Sequence, residues 1–143
     1  MYASAADLQR FYPDDVLADL SGPGRVFDPD IWTAQLVAAS HEIDGWLSAI
    51  AGVSLPLVAP PPVLIQMSCD IAVYRRMVMT PQTTSEDQKA RYDSWLDLLR
   101  TWVRHGAVPP GVDGGAAQDA APAALPRAEG SRSVFNQGVE PWR

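Results

Sequence analysis

The chain has 143 residues with 11 Lys and Arg against 17 Asp and Glu, a formal net charge of -6 and a sequence pI near 4.7. That length is one domain with a modest core, and the charge balance excludes a general nucleic-acid binder, because any basic stripe for phosphates has to be local. One cysteine, Cys69, excludes an internal disulfide, no run approaches the roughly 18 apolar residues of a membrane helix, and the opening residues lack the basic and apolar regions of a signal peptide, so a soluble protein is expected.

The helix signals are strong and strand signals weak. Ser4 with Asp7 three residues on reads as a capping-box start for a short helix reaching about Tyr12. Pro13 opens a second short helix through Leu20, with Asp14 and Asp15 in its first turn complementing the helix dipole; Ser-Gly-Pro-Gly at 21–24 breaks it. Asp28 is an N-cap with Pro29 at the first helical position. Ile31, Leu36, Ala39, Ile43, Leu47 and Ile50 then recur at helical spacing until Gly52, the first long helix. Residues 53–62, rich in proline, form an extended apolar connector. A second long helix spans Pro62 to Met79 with Leu64, Met67, Ile71, Tyr74 and Val78 on one face, and Pro81 ends it. The third begins at Ser85 as N-cap, carries Tyr92, Trp95, Leu96, Leu99 and Val103, and closes at His105 and Gly106. The fold expected is all-α: a small bundle of three longer and two short helices.

From Ala107 onward, 37 residues contain five prolines, five glycines and eight alanines. Such a stretch buries too little to offset its ordering entropy, which divides the chain into a helical domain, 1–106, and an extended tail, 107–143. Trp142, with Val134, Phe135 and Val139 before it and Arg143 after it, reads as a tail anchor for another protein's edge or pocket, or for the chain's own bundle. Charge is uneven as well: residues 1–44 hold eight acids and two bases, while 45–143 balance at nine each.

The catalytic inventory is thin. No phosphate-cradling glycine loop, His-Glu-x-x-His pair, Gly-x-Ser-x-Gly elbow or Cys-x-x-Cys is present, so no enzyme and no cofactor is expected. Cys69 with His41 or His105 is the one conceivable thiolate pair, and a buried, inert cysteine is the plainer reading. Asp14, Asp15, Asp19, Asp28 and Asp30 lack the ligand spacing of a calcium loop; capping and dipole effects explain them, and no metal is expected. Asp70, beside the apolar face of its helix, calls for a structural ion pair with Arg91 or Arg100 across the bundle.

Several segments together resemble the head-to-tail connector (adaptor, or head-completion) proteins of Mu-like tailed phages. They are Met1-Tyr2-Ala3-Ser4 with Asp7-Leu8, Glu42-Ile43-Asp44-Gly45-Trp46-Leu47, Leu55-Pro56-Leu57 with Pro61-Pro62, Cys69-Asp70-Ile71-Ala72-x-Tyr74-Arg75, and Arg91-Tyr92-x-x-Trp95-Leu96. The likeness spans about residues 1 to 105, and the long Ala/Pro/Gly stretch after it departs from the pattern. The resemblance implies a non-enzymatic virion protein of the neck, made in the bacterial host cytoplasm. It implies a ring, commonly twelvefold, under the portal protein, with a stopper or tail-completion protein on its other side and DNA passing without specific binding. The tail would grip the portal or neighbouring subunits. An acidic first third lining the channel, through Asp14, Asp15, Asp19, Asp28 and Asp30, would repel DNA phosphates. Two alternatives remain open: a tail-completion or stopper protein of the same neck, and a small acidic intracellular regulator that binds a basic partner.

Overall fold

The computed structural model describes residues 1–80 and 85–112, and in them the chain forms five helices and no strand. They are α1 (Ala5–Phe11), α2 (Asp14–Ser21), α3 (Pro29–Leu47), α4 (Pro62–Met79) and α5 (Glu86–His105). The tail-anchor residues Val134, Phe135, Val139, Trp142 and Arg143 lie outside the described residues.

Local chemistry explains most boundaries. Ser4 and Asp7 form a reciprocal capping box at α1, and the Ser4 hydroxyl and backbone N–H, donating to the Asp7 carboxylate at 2.7 and 2.9 Å, hold that carboxyl below its ordinary range. Asp28 caps α3 through Oδ1, which accepts from the N–H groups of Asp30 and Ile31, with Pro29 at the first helical position. At the other end, α3 stops at Leu47 rather than Gly52. Ala49 and Ile50 donate to Trp46 and Leu47, three residues back; these tighter turns end the α-helical ladder before the glycine, which adopts φ 86. Ser85 holds the N-cap position of α5 with extended backbone, without a side-chain capping bond. α5 closes on a Schellman motif: Gly106 is left-handed, its N–H bonds Val103, and the Ala107 N–H bonds Trp102 at 2.9 Å.

α4 is the centre of the bundle and packs against α1, α3 and α5. The spacing of its large apolar residues suggests one buried face, but Met67 through Val73 are buried without interruption. A helix enclosed on all sides has no solvent face to spare, and small residues there, Ser68, Cys69 and Ala72, let the neighbouring helices approach. Val78, placed on the inner face by spacing alone, is instead 57% exposed, while Met77 beside it is buried. In α3 the fully buried first-turn residue is Trp32 rather than Ile31. Each fully buried leucine, Leu8, Leu17, Leu20, Leu36, Leu47, Leu64 and Leu99, contributes about 1.5–3 kcal/mol by leaving water.

The body runs past residue 106. Pro109 to Val112 form a turn closed by the Val112 N–H on the Pro109 carbonyl, with Gly111 at φ 83 in the third position as a type II turn requires. Val112 is buried and Val108 packs on the core. A Cβ at Gly111 would stand 3.0 Å from that of Pro61, so these residues belong to the bundle and not to the tail that composition assigns them to.

α2 has no basic residue in its last turn, and α4 supplies one. Arg76 donates from Nε to the Leu20 carbonyl at 2.6 Å and from Nη2 to that of Ser21 at 3.1 Å, satisfying carbonyls that have no intrahelical partner. The Ser21 hydroxyl donates to Leu17 and accepts from the Trp32 indole at 2.9 Å, joining α2 to α3. Replacing Arg76 by Ala is expected to lower unfolding stability by about 1.5–3 kcal/mol, the range for hydrogen bonds to a charged group. Urea denaturation checks this, and an unchanged midpoint would show that the contact carries no weight.

Candidate functional site

The polar residues that organise the body gather around one buried carboxylate. Asp70 is 1% exposed on the middle of α4. Its Oδ1 accepts from the Tyr12 hydroxyl, just beyond α1, and lies 3.6 Å from Nη1 of Arg91 on α5. Its Oδ2 accepts from the Trp95 indole N–H at 2.8 Å. The Tyr12 oxygen in turn accepts from Gln88 Nε2 at 2.7 Å. Both carboxylate oxygens therefore have donors, which is what a charge out of water requires. Burial, then the hydrogen bond and charge of Asp70, push the Tyr12 hydroxyl far above its ordinary ionisation range, so it stays a donor. Arg91 is the arginine that reaches Asp70; Arg100 pairs with Asp97 on its own helix at 2.8 Å. Pattern gives Tyr12 and Gln88 no part in a site and marks Trp95 only as an apolar-face residue of its helix. Their signal is a general one: buried Tyr and Trp need a partner for the polar tip, and a lone Asp between apolar residues needs donors.

A second cluster ties α3, α4 and α5 nearer the surface. Glu42 accepts from Arg75 Nη1 at 3.0 Å and from the Tyr92 hydroxyl at 2.7 Å, and Tyr92 stacks on Tyr74 with centroids 4.3 Å apart. Burial first, then Glu42, push Tyr92 up to about 12. At the N-terminus, the Tyr2 hydroxyl donates to Asp44 and the Tyr2 N–H to Ser40 at 2.9 Å, laying the first residues along α3.

The five aspartates of the acidic first third divide by role. Asp14, Asp15 and Asp19 are exposed along α2, and Asp30 is exposed in the first turn of α3. Asp28 spends one oxygen on the α3 cap, Asp14 accepts from Gln9 at 3.2 Å and Asp19 pairs with Arg25 at 3.3 Å. Ser21, whose hydroxyl also accepts from the Asp28 N–H, brings the end of α2 against the start of α3, so Asp19, Asp28 and Asp30 share one end of the body. No cluster of His, Cys, Asp and Glu suited to a metal occurs among the described residues. None of the described helices is long and apolar enough to cross a membrane.

Cys69 is fully buried, whereas His41 and His105 are exposed. Burial, with Asp7 and Asp70 nearby, pushes its thiol up to about 12, which keeps it protonated and a poor nucleophile at neutral pH.

Two predictions follow from these surroundings. Asp70→Ala leaves the Trp95 and Tyr12 donors buried and unpaired and is expected to cost about 3–5 kcal/mol. Asp70→Asn costs less because the amide oxygen still accepts, and Arg91→Ala, at a half-exposed partner, costs about 1 kcal/mol or less; urea denaturation giving another order would contradict the hub. For Cys69, an unfolded thiol ionises near about 8.5 while the folded one keeps its proton. Raising the pH through that value therefore favours the unfolded chain, and the loss continues until the folded value is passed. Urea midpoints should fall from about pH 8.5 upward and fall less in Cys69→Ala; parallel curves would refute the assignment.

A comparison with curated proteins gives no match. The family model described as Bacteriophage Mu, Gp36 matches residues 2–126, which takes in the whole described bundle. With its helices, caps and polar hubs inside that match, the chain belongs to the bacteriophage Mu Gp36 family.

Proposed function

We propose that the protein is a non-enzymatic structural component of a Mu-like phage virion, a head-to-tail connector whose copies form a ring under the portal and let DNA pass through it. The observation that carries this reading is the family match over residues 2–126. The packing of the body supports it. Asp70 and Glu42 each tie α4 and α5 to a third element, α1 and α3 respectively, a rigid subunit of the kind that repeated head-to-tail contacts can close into a ring. The carboxylates of α2 and of the start of α3 supply a surface suited to the lumen. Exposed carboxylates at Asp14, Asp15, Asp19 and Asp30 would repel DNA phosphates and keep a moving genome from adhering. The C-terminal segment, residues 131–143, is the part that docks on the portal or on neighbouring subunits, and a stopper or tail-completion protein takes the opposite side of the ring.

Deleting residues 131–143 is expected to leave the circular dichroism and thermal unfolding of the body unchanged while abolishing co-purification with portal. A truncated protein that retains portal at full occupancy would refute the tail assignment. An electron-microscopy map of the assembled neck decides the level: density for this chain on the tail side of a separate adaptor ring would make it a stopper. Carboxylates of α2 on the outer rim would remove the lumen role.

A further inference from the structure

α5 turns one side into the bundle, where Leu99 and Trp102 are buried, and its opposite side carries Asp93, Asp97, Arg100 and Arg104, all exposed. Spacings of four, three and four residues put them in one line along the helix, about 16 Å long. Two acids come first and two bases follow. Within a single helix that order is a poor one. Asp93 beside Asp97, and Arg100 beside Arg104, are like-charge neighbours one turn apart, an arrangement that weakens the helix carrying it. One internal pair relieves it in part, Arg100 Nη1 to Asp97 Oδ1 at 2.8 Å. A guanidinium has five donors and a carboxylate two oxygens, so both partners of that pair keep capacity for another. Among the described residues Asp93 and Arg104 have no ion-pair partner.

What the order does suit is its own reverse. A second α5 laid antiparallel across the line presents bases to the acids and acids to the bases, whereas a parallel one sets like charge on like. With a two-fold axis midway along the line, Asp97 faces Arg100 of the second copy and Asp93 faces its Arg104 in one register, and the axis repeats both pairs. Glu86 and Lys89, further along the same side, fall beyond the end of the opposing helix. The flanks permit close approach. Ala90, Ser94 and Thr101 are exposed and small on one side, leaving room for helix axes about 8–10 Å apart. The Ser94 and Thr101 hydroxyls already donate to the carbonyls of Ala90 and Asp97, each at 2.8 Å, so covering them leaves no donor unpaired. Half-buried Leu96 and Val103 on the other flank supply apolar surface for the contact to cover.

We propose that the outer face of α5 is a docking surface for a second copy of this chain, the two helices antiparallel about a two-fold axis and joined by reciprocal Asp97–Arg100 and Asp93–Arg104 pairs. The contact belongs to the free protein. It uses neither the carboxylates of α2 nor the portal, so it does not rest on the connector reading, which portal co-purification tests separately.

Sedimentation velocity of the full chain over a concentration series tests it. The variants are Asp93→Lys/Asp97→Lys, Arg100→Glu/Arg104→Glu, and the chain carrying all four substitutions. The natural sequence is expected to form a reversible dimer. Either double variant alone raises the dissociation constant at least about tenfold, because exposed pairs are lost and like charges face each other. An equal mixture of the two double variants recovers the dimer, and so does the fourfold variant, which reverses every charge and keeps the complementary order. A natural chain that stays monomeric up to millimolar concentration overturns the proposal. So does an association that both double variants leave intact, since the contact then lies elsewhere on the body. Loss that neither mixing nor the fourfold variant repairs also overturns it, because charge order is then not what joins the copies.

Discussion

Asp70 carries its carboxylate into the interior of the bundle, where a charge survives only if donors replace the water it has lost. Those donors come from two elements: the Tyr12 hydroxyl past the end of α1, and the Trp95 indole and Arg91 guanidinium on α5. Once α4 is enclosed, the rotation of α5 about its axis and the direction in which the chain leaves α1 are constrained by one side chain. Leucine contacts would tolerate a slide of a few ångströms; a carboxylate bonded by an indole and a phenol does not. The hub therefore contributes register more than net stability, since removing the charge from water consumes much of what the bonds return.

The other polar ties repeat this logic, with Glu42, Arg75, Arg76 and Tyr92 partly solvated and the neutral Ser21–Trp32 pair buried. Glu42 joins α3 to Arg75 and Tyr92, Arg76 caps α2 from α4, and Ser21 accepts from Trp32. α2, α3, α4 and α5 are thus each bonded by side chains to a non-adjacent part of the chain, and Tyr12 makes such a bond just past the end of α1. α4 supplies Asp70, Arg75 and Arg76 to these ties, which is why it can be buried through its middle and still act as the connecting element.

That arrangement separates scaffold from surface. The interior is occupied by apolar packing and by the hydrogen-bonded Asp70 carboxylate, with the Cys69 thiol protonated among them. What remains for contact with other molecules on the described body is outside: the carboxylates of α2 and the start of α3, the charged outer face of α5, and the apolar end of α4.

Helix number, order and most boundaries were legible in the sequence, because capping residues, prolines and glycines act within a few positions of themselves. Ser4, Asp28 with Pro29, and Gly106 each work through local backbone geometry. The need of Asp70 for a basic partner was legible for the same kind of reason, a charge among apolar neighbours. Which arginine would serve was not: Arg91 and Arg100 lie on one helix, and only its rotation against α4 selects between them. Tyr12, Gln88 and Trp95 joined the hub through contacts 58, 18 and 25 residues away from Asp70 in sequence, distances at which no periodicity carries information. The enclosure of α4 on all sides, the exposure of Val78 and the return of Pro109 to Val112 onto Pro61 were likewise tertiary decisions. Each depends on how elements distant in sequence pack together, and a helical pattern records its own spacing but not the placement of its neighbours.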